Sequence, residues 1–461
     1  MASDYDVVVI GGGPGGYTAA IRAAQLGLKA AVVERDELGG VCLNWGCIPS
    51  KALLRSAEVL NLFRQAGEFG ITYDNLQFDL GLAVDRSRKV VDRMVKGVAY
   101  LFKKHKIELV RGTARLTGPG EVAIDSNGQR LRSKNVIIAT GGRAKDLPNL
   151  KADGSSIITA REALELRQPP GSIAIVGGGA VGVEFAYYYR AYGSEVTIIE
   201  MLPHLVPTED EDVSRQLERA LARQGIDVKA GRTVEGAERK NGRTRLTLGP
   251  AGEGGDVECD TVLLGVGIEP NTTNLGLETL GVETQRGFIK IDGRMATSVP
   301  GVYAIGDVTG ELLLAHVASA QGVVAVEAMA GREPLPLVYE DMPRATYCQP
   351  QVASTGLTER AAQERGHNVK VGKFPFTANG KAVALGAPEG FVKIVADAGD
   401  GEILGAHLIG HDVTELLAEL SLARMLEGTV LELGKTVHAH PTMSEALMEA
   451  GLGVLGESLN I

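Results

Sequence analysis

Three observations predict an α/β chain of two doubly wound halves followed by a C-terminal α+β domain. The chain opens with a strand, a glycine-rich turn, a helix and a second strand that ends on an acid. The same design returns near residue 172, and the texture changes after about residue 340. A length of 461 residues is enough for about three domains of ordinary size.

The first segment runs Asp6-Val7-Val8-Val9-Ile10, and its continuous apolar stretch suggests a strand buried on both faces. Gly11-Gly12-Gly13-Pro14-Gly15-Gly16 follows, then a helical stretch from Tyr17 to Leu26 with Gly27 as its stop signal. A second strand, Ala30 to Val33, ends on Glu34. In the second copy, Ile173 to Val176 leads into Gly177-Gly178-Gly179-Ala180-Val181-Gly182, a helix, and the strand Val196 to Ile199 ending on Glu200. Beyond residue 340, Ala382 to Leu408 reads as strands alternating with turns such as Asp397-Ala398-Gly399-Asp400-Gly401. A helix near Asp412 then carries Val413, Leu416, Leu417 and Leu420 on one face, so an antiparallel sheet covered by helices is expected.

The two copies share one spacing. Glu34 stands 23 positions after Gly11, and Glu200 stands 23 after Gly177. A lone glycine triplet is weak evidence, but a triplet between strand and helix with an acid about 20 residues on is what a Rossmann-like dinucleotide site requires. Glycines let the backbone approach a pyrophosphate, the helix N-terminus favours its charge, and the acid accepts from a ribose hydroxyl. Gly11, Gly13, Gly16 and Glu34 therefore make one candidate site, and Gly177, Gly179, Gly182 and Glu200 a second. The alternative is two ordinary strand–helix turns with incidental glycines.

Composition narrows the partners. Lys and Arg number 47 against 57 Asp and Glu, a net charge of −10, which disfavours nucleic acid. No apolar run reaches the ~18 residues of a membrane span, and the acidic start Met1-Ala2-Ser3-Asp4 shows no secretory signal, so a cytoplasmic protein is expected.

Only four cysteines occur, and Cys42 and Cys47 are close in sequence while Cys259 and Cys348 stand alone. Cysteines five apart can meet across one distorted helical turn, and a helix start would lower a thiol pKa. A redox pair is the stronger reading. A metal site would need further ligands that the adjacent sequence lacks, so none is expected, and two inert buried thiols are the remaining alternative. Near the end, His438-Ala439-His440-Pro441-Thr442-Met443-Ser444-Glu445 offers an imidazole with a carboxylate five positions on, a candidate base and its orienting partner. Taken alone, a histidine before proline is more commonly a turn residue.

The stretch from Gly39 to Lys51, with Cys42 and Cys47, resembles the redox-active motif of the flavoprotein disulfide reductases, and the resemblance covers essentially the whole chain. It implies FAD at the first dinucleotide site and a nicotinamide cofactor at the second. Thr140 and Gly141, within Ala139-Thr140-Gly141-Gly142, resemble the turn closing the first flavin segment. Val302 to Asp307 resembles the second flavin motif, where Asp307 would bind the ribityl chain, and the resemblance adds Gly267 and Ala315 to the cofactor residues. Lys51 and Glu184 match an ion pair behind the flavin. His440 matches the family's base and Glu445 its partner, whereas His438 is read as structural. In the family the base reaches the disulfide of the other subunit, so a homodimer is implied.

Within the family the motif looks most like the dihydrolipoamide-oxidising branch. Glu200, followed by Met201-Leu202-Pro203-His204 with no arginine, favours NAD over NADP, and the C-terminus lacks the extra cysteine pair of mercuric reductases. Gln349-Pro350-Gln351 and Trp45 depart from the usual pattern at positions that carry no chemistry. The expectations are FAD-binding segments at 1–145 and 271–340, an NAD-binding domain at 146–270 and a dimerisation domain at 341–461. The expected reaction is oxidation of dihydrolipoamide through a Cys42–Cys47 disulfide with NAD as acceptor. The expected partners are the lipoyl domains and acyltransferase core of 2-oxo-acid dehydrogenase complexes.

Overall fold

The computed structural model describes residues 4–125, 128–250 and 255–461. The chain divides into two compact units, residues 1–53 with 81–145 and 267–339, and residues 54–80 with 146–266 and 340–461.

In the first unit, β1 (Tyr5–Ile10) pairs in parallel with β2 (Ala30–Glu34) on one side and with the strand Arg130–Ile138 on the other. Val7, Val8 and Val9 have no exposed surface, which is why this strand is apolar throughout rather than alternating. Helix α1 (Pro14–Gln25) joins β1 to β2 and starts three residues earlier than the sequence suggests, because Pro14 fits the first helical position, where no N–H is needed. Two helices carry the cysteines, α2 (Gly40–Trp45) and α3 (Cys47–Arg64), and the long α4 (Leu80–His105) follows. The strand Glu108–Arg111 extends the sheet beside β2, and Val302–Ala304 adds to it beside Arg130–Ile138. The helix Ala315–Met329 lies on α1 at backbone contact: a Cβ on Gly322 would stand 2.8 Å from the Gly15 carbonyl oxygen.

The second unit repeats the opening design. Ser172–Val176, the helix Ala180–Ala191 and Glu195–Glu200 form a strand–helix–strand unit inside a five-stranded parallel sheet. Its C-terminal part is a five-stranded antiparallel sheet with Gln351–Gly356, Ile403–Gly410 and Phe391–Asp397 at the centre. Val413, Leu417 and Leu420 of the helix Val413–Met425 share a core with Val392, Ile394 and Leu408 of that sheet, and so do Ala446, Leu447 and Ala450 of the helix Glu445–Leu455. The start of the expected strand region is different: Gly380–Ala384 is a short helix, because the Asn379 side chain accepts the Ala382 N–H at 2.9 Å and caps it. Among the described residues, no helix is long and apolar enough to cross a membrane.

Candidate active site

The two glycine–acid segments are built alike. Gly11 and Gly177 both have φ of +111°, and a side chain on either would strike the carbonyl oxygen of Ala139 or Gly265. Gly16 and Gly182 are close-approach points, where a Cβ would lie 1.9 Å from the carbonyl oxygen of Gly11 and Gly177 respectively. Larger residues there would push the helix off its strand. Gly13 and Gly179 are the N-caps of their helices; neither helix has a capping side chain or an acid in its first turn. Their leading N–H groups are thus left for an anion, which suits a pyrophosphate.

Glu34 and Glu200 end their strands buried. Glu34 accepts the Gly12 N–H at 2.7 Å and the Asp36 N–H at 2.8 Å, while Glu200 accepts the Gly178 N–H at 2.6 Å and the Leu202 N–H at 2.8 Å. Each carboxylate is therefore oriented by backbone before any ligand arrives, with further lone pairs for a ribose diol. Gly12 and Gly178 were not singled out from sequence; the duplicated spacing was the signal that could have found them.

The remaining cofactor candidates of the first unit gather around its sheet. Thr140 donates to the Asn271 carbonyl at 2.8 Å, and Asn271 returns a bond to the Thr140 carbonyl at 3.0 Å, so Asn271 closes this turn. Gly141 and Gly267 both have positive φ, and the Gly267 carbonyl accepts the Lys145 N–H. Asp307 sits in the short turn Gly306–Thr309; burial raises its pKa, and no side-chain hydrogen bond to it occurs among the described residues. A half-buried carboxyl of this kind fits a hydroxyl-bearing chain as its missing partner. Gln321 holds the same turn by accepting the Gly306 N–H at 2.6 Å, a role that sequence reading missed. Ala315 opens the helix Ala315–Met329, which has neither a side-chain cap nor a first-turn acid.

Cys42 lies in α2 and Cys47 begins α3, with Gly46 as the break between them. Both are thiols, joined by a side-chain hydrogen bond. That bond, followed by burial, pushes the Cys42 thiol well above its ordinary range, and the nearby Lys51 ammonium pulls the other way. The lowering expected of a thiol at a helix start is thus outweighed at Cys42 by its hydrogen bond with Cys47 and by burial. Asn44 ties the segment down by donating to the carbonyls of Leu38 and Gly40, and Arg88 donates to the Asn44 carbonyl at 2.8 Å.

His440 and Glu445 form a pair in the second unit, with Nδ1 of His440 2.9 Å from Oε1 of Glu445. Glu445 is the first residue of its helix, and its other oxygen accepts the Thr442 N–H at 2.8 Å. That backbone bond, with the imidazole bond behind it, holds Glu445 below the usual carboxylate range. An ionised acceptor at Nδ1 makes Nδ1 the donor, so the Nε2 lone pair faces outward on a side chain that is 78% exposed. His438 is engaged elsewhere, with Nε2 2.7 Å from Glu419 and Nδ1 2.9 Å from the Thr436 carbonyl. Of the matched ion pair, Lys51 belongs to the first unit and Glu184 to the second, where Glu184 accepts the Tyr347 N–H at 2.9 Å. Among the described residues no cluster of three or more His, Cys, Asp or Glu could hold a metal.

Comparison with known proteins points to one family along the whole chain. The family model of pyridine nucleotide-disulphide oxidoreductases matches residues 5–322, and that of their dimerisation domain matches residues 342–451. A dihydrolipoyl dehydrogenase of Chlorobaculum tepidum is 49% identical over 99% of this chain and 98% of its own length. One from Mycobacterium leprae is also 49% identical, over 99% of each chain. Among solved structures, LpdA from Mycobacterium tuberculosis superposes with a TM-score of 0.90 at 26% identity, covering 96% of this chain and 98% of that one.

Proposed function

The chain belongs to the pyridine nucleotide-disulphide oxidoreductases, and from that premise we propose that it oxidises dihydrolipoamide to lipoamide and reduces NAD to NADH. The observation that carries this reading is the Cys42–Cys47 pair at the start of α3, in a chain similar along its whole length to dihydrolipoyl dehydrogenases. FAD, when bound, accepts an electron pair from the dithiol and delivers it as hydride to NAD.

The chain's own groups do the rest. Nε2 of His440 takes the proton of a dihydrolipoamide thiol, while Glu445 fixes the imidazole tautomer and supports its charge. The resulting thiolate attacks Cys42 in the Cys42–Cys47 disulfide, and Cys47 leaves as thiolate. The second substrate thiol displaces Cys42, so lipoamide departs with its own disulfide and the dithiol remains. Lys51, which favours the anionic form of Cys42, also supplies positive charge close to the thiols.

FAD is assigned to residues 1–145 and 271–340, with Gly11, Gly13, Gly16, Glu34, Asp307 and Ala315 as its principal contacts. NAD is assigned to 146–270, with Gly177, Gly179, Gly182 and Glu200. Residues 341–461 are assigned to dimerisation, which the matched dimerisation domain supports, and the disulfide of each chain is served by His440 of the partner subunit. The physiological substrate is the lipoyl domain of a 2-oxo-acid dehydrogenase complex in the cytoplasm. A steady-state assay of dihydrolipoamide with NAD and with NADP tests the reading: NAD-linked turnover is expected, and no turnover with either would refute it.

A further inference from the structure

Lysine is almost never buried without partners, and Lys393 is only 3% exposed in the strand Phe391–Asp397. Its neighbours Val392 and Ile394 belong to the core shared with the C-terminal helices, so Lys393 faces the other side of the sheet. There its ammonium meets three carboxylates: Asp210 at 2.8 Å, Asp212 at 3.0 Å and Glu359 at 2.7 Å. Burial alone would favour the neutral amine, but these partners outweigh it and raise the pKa above the ordinary lysine value. A buried ion cluster is weak evidence for stability, since desolvation offsets its attraction. What it fixes here is geometry. Asp210 caps the helix Glu211–Arg223 and Asp212 lies in its first turn, so Lys393 sets where that helix begins. Gln224 fastens the far end by donating to the Gln349 carbonyl at 2.7 Å.

The helix in turn holds the second glycine–acid turn. Glu218 accepts the Leu205 N–H at 2.9 Å, and the next residue, Val206, donates to the Gly178 carbonyl at 2.9 Å. Gly178 itself donates to Glu200. Leu205 is buried against Gly178, where a Cβ would stand 2.5 Å from Leu205 Cδ2. The first glycine–acid segment makes the matching bond from the Gly39 N–H to the Gly12 carbonyl, with Gly39 at φ +97°. The second puts the β-branched Val206 in that place at φ +41°, a conformation such a residue keeps only when its surroundings impose it. The helix anchored by Lys393 supplies that hold.

We propose that Lys393 is a positioning residue for NAD, acting through Asp210, Asp212 and the helix Glu211–Arg223 on the Gly178 turn and Glu200. The proposal rests on the assignment of NAD to residues 146–270 and adds that a strand of the segment assigned to dimerisation sets the shape of that site. Loss of the ammonium frees the start of the helix while Gln224 still holds its end. The turn then shifts without the fold coming apart.

The test uses the flavin-loaded enzyme with Lys393→Met, with Lys393→Arg, and with Lys393→Met combined with Asp210→Asn and Asp212→Asn. The triple variant removes two carboxylates together with their cation and keeps a side-chain cap on the helix. ADP-ribose is the binding probe, because it carries the adenosine ribose and pyrophosphate without the nicotinamide. In Lys393→Met and the triple variant, its Kd and the KM for NAD should both rise about fivefold or more, with kcat within about twofold of wild type. Lys393→Arg, which keeps a cation in place, should show a smaller rise in both. Anaerobic reduction of the enzyme by dihydrolipoamide needs no NAD and should keep its wild-type rate. Unchanged Kd and KM in a folded variant would overturn the proposal. So would a lowered Tm with parallel losses in both half-reactions, which marks a general effect on the fold. If Lys393→Met does not fold, the triple variant and Glu218→Ala, which cuts the same path at Leu205, decide by the same criteria. Failure of the wild-type enzyme to bind ADP-ribose would instead refute the NAD assignment itself, a separate result.

Discussion

Glu200 receives the Gly178 N–H at 2.6 Å, as Glu34 receives that of Gly12 at 2.7 Å, so both dinucleotide sites orient their acid with the turn that opens them. The acid is not an accessory to the glycine loop but part of it. A ligand phosphate on the ribose would meet a carboxylate that is buried and held in place, with no arginine in the following Met201-Leu202-Pro203-His204 to compensate.

Cofactor choice follows. NAD should be preferred over NADP by at least about tenfold in kcat/KM, equivalent to ~1.4 kcal/mol. Glu200→Ala should narrow the gap without creating efficient NADP use. Equal rates of the wild-type enzyme with both cofactors would contradict this account.

The roles of the two cysteines are separable by absorbance. Anaerobic addition of about two electrons per chain should give a long-wavelength band from the Cys47 thiolate beside the flavin. Cys47→Ser should abolish the band with flavin still bound, and Cys42→Ser should retain it. The reverse pattern would exchange the two assignments.

Asp307 connects cofactor binding to stability. Its folded-state pKa is raised by burial, so its protonated form stabilises the fold at low pH, and that contribution is lost as pH rises through the raised value. Ionising Asp307 in the flavin-free protein is therefore less favourable than ionising it in the unfolded chain. Asp307→Asn should raise the Tm of the apoprotein at pH 7 by a few degrees, roughly what ~1 kcal/mol gives. The gap to wild type should shrink at pH 4, and flavin retention should weaken. A lower apoprotein Tm at pH 7 would show that the carboxylate is stabilising.

His440→Gln should slow dihydrolipoamide oxidation by ~10²–10⁴-fold, and Glu445→Gln by less, since Glu445 orients the ring but takes no proton. Reduction of a small artificial acceptor by NADH should be nearly unchanged in both, because it bypasses the thiols. Mixing inactive Cys42→Ser and His440→Gln subunits should restore activity through heterodimers with one intact site. Confirmed exchange without recovery would place thiols and base in one chain.

Much of this chain was legible because covalent spacing constrained it. Fixed intervals from glycines to acid identified two strand–helix–strand units, and the five-residue interval between Cys42 and Cys47 allowed their contact. The short helix at Gly380–Ala384 was misread as strand because its apolar residues suit either form, and the Asn379 cap that decides it is a local hydrogen bond.

The sequence by itself therefore determined the two dinucleotide units, the thiol pair and the His440–Glu445 pairing, since each depends on residues within one short segment or on a repeated interval. Tertiary structure alone decided the rest. It brought Asn271 to the Thr140 turn and Gln321 to the Gly306 N–H, and it tied α4 to the cysteine segment through Arg86 and Arg88. It also set the direction of the Cys42 pKa, because hydrogen bonding and burial depend on what surrounds a group in space and not on its distance along the chain.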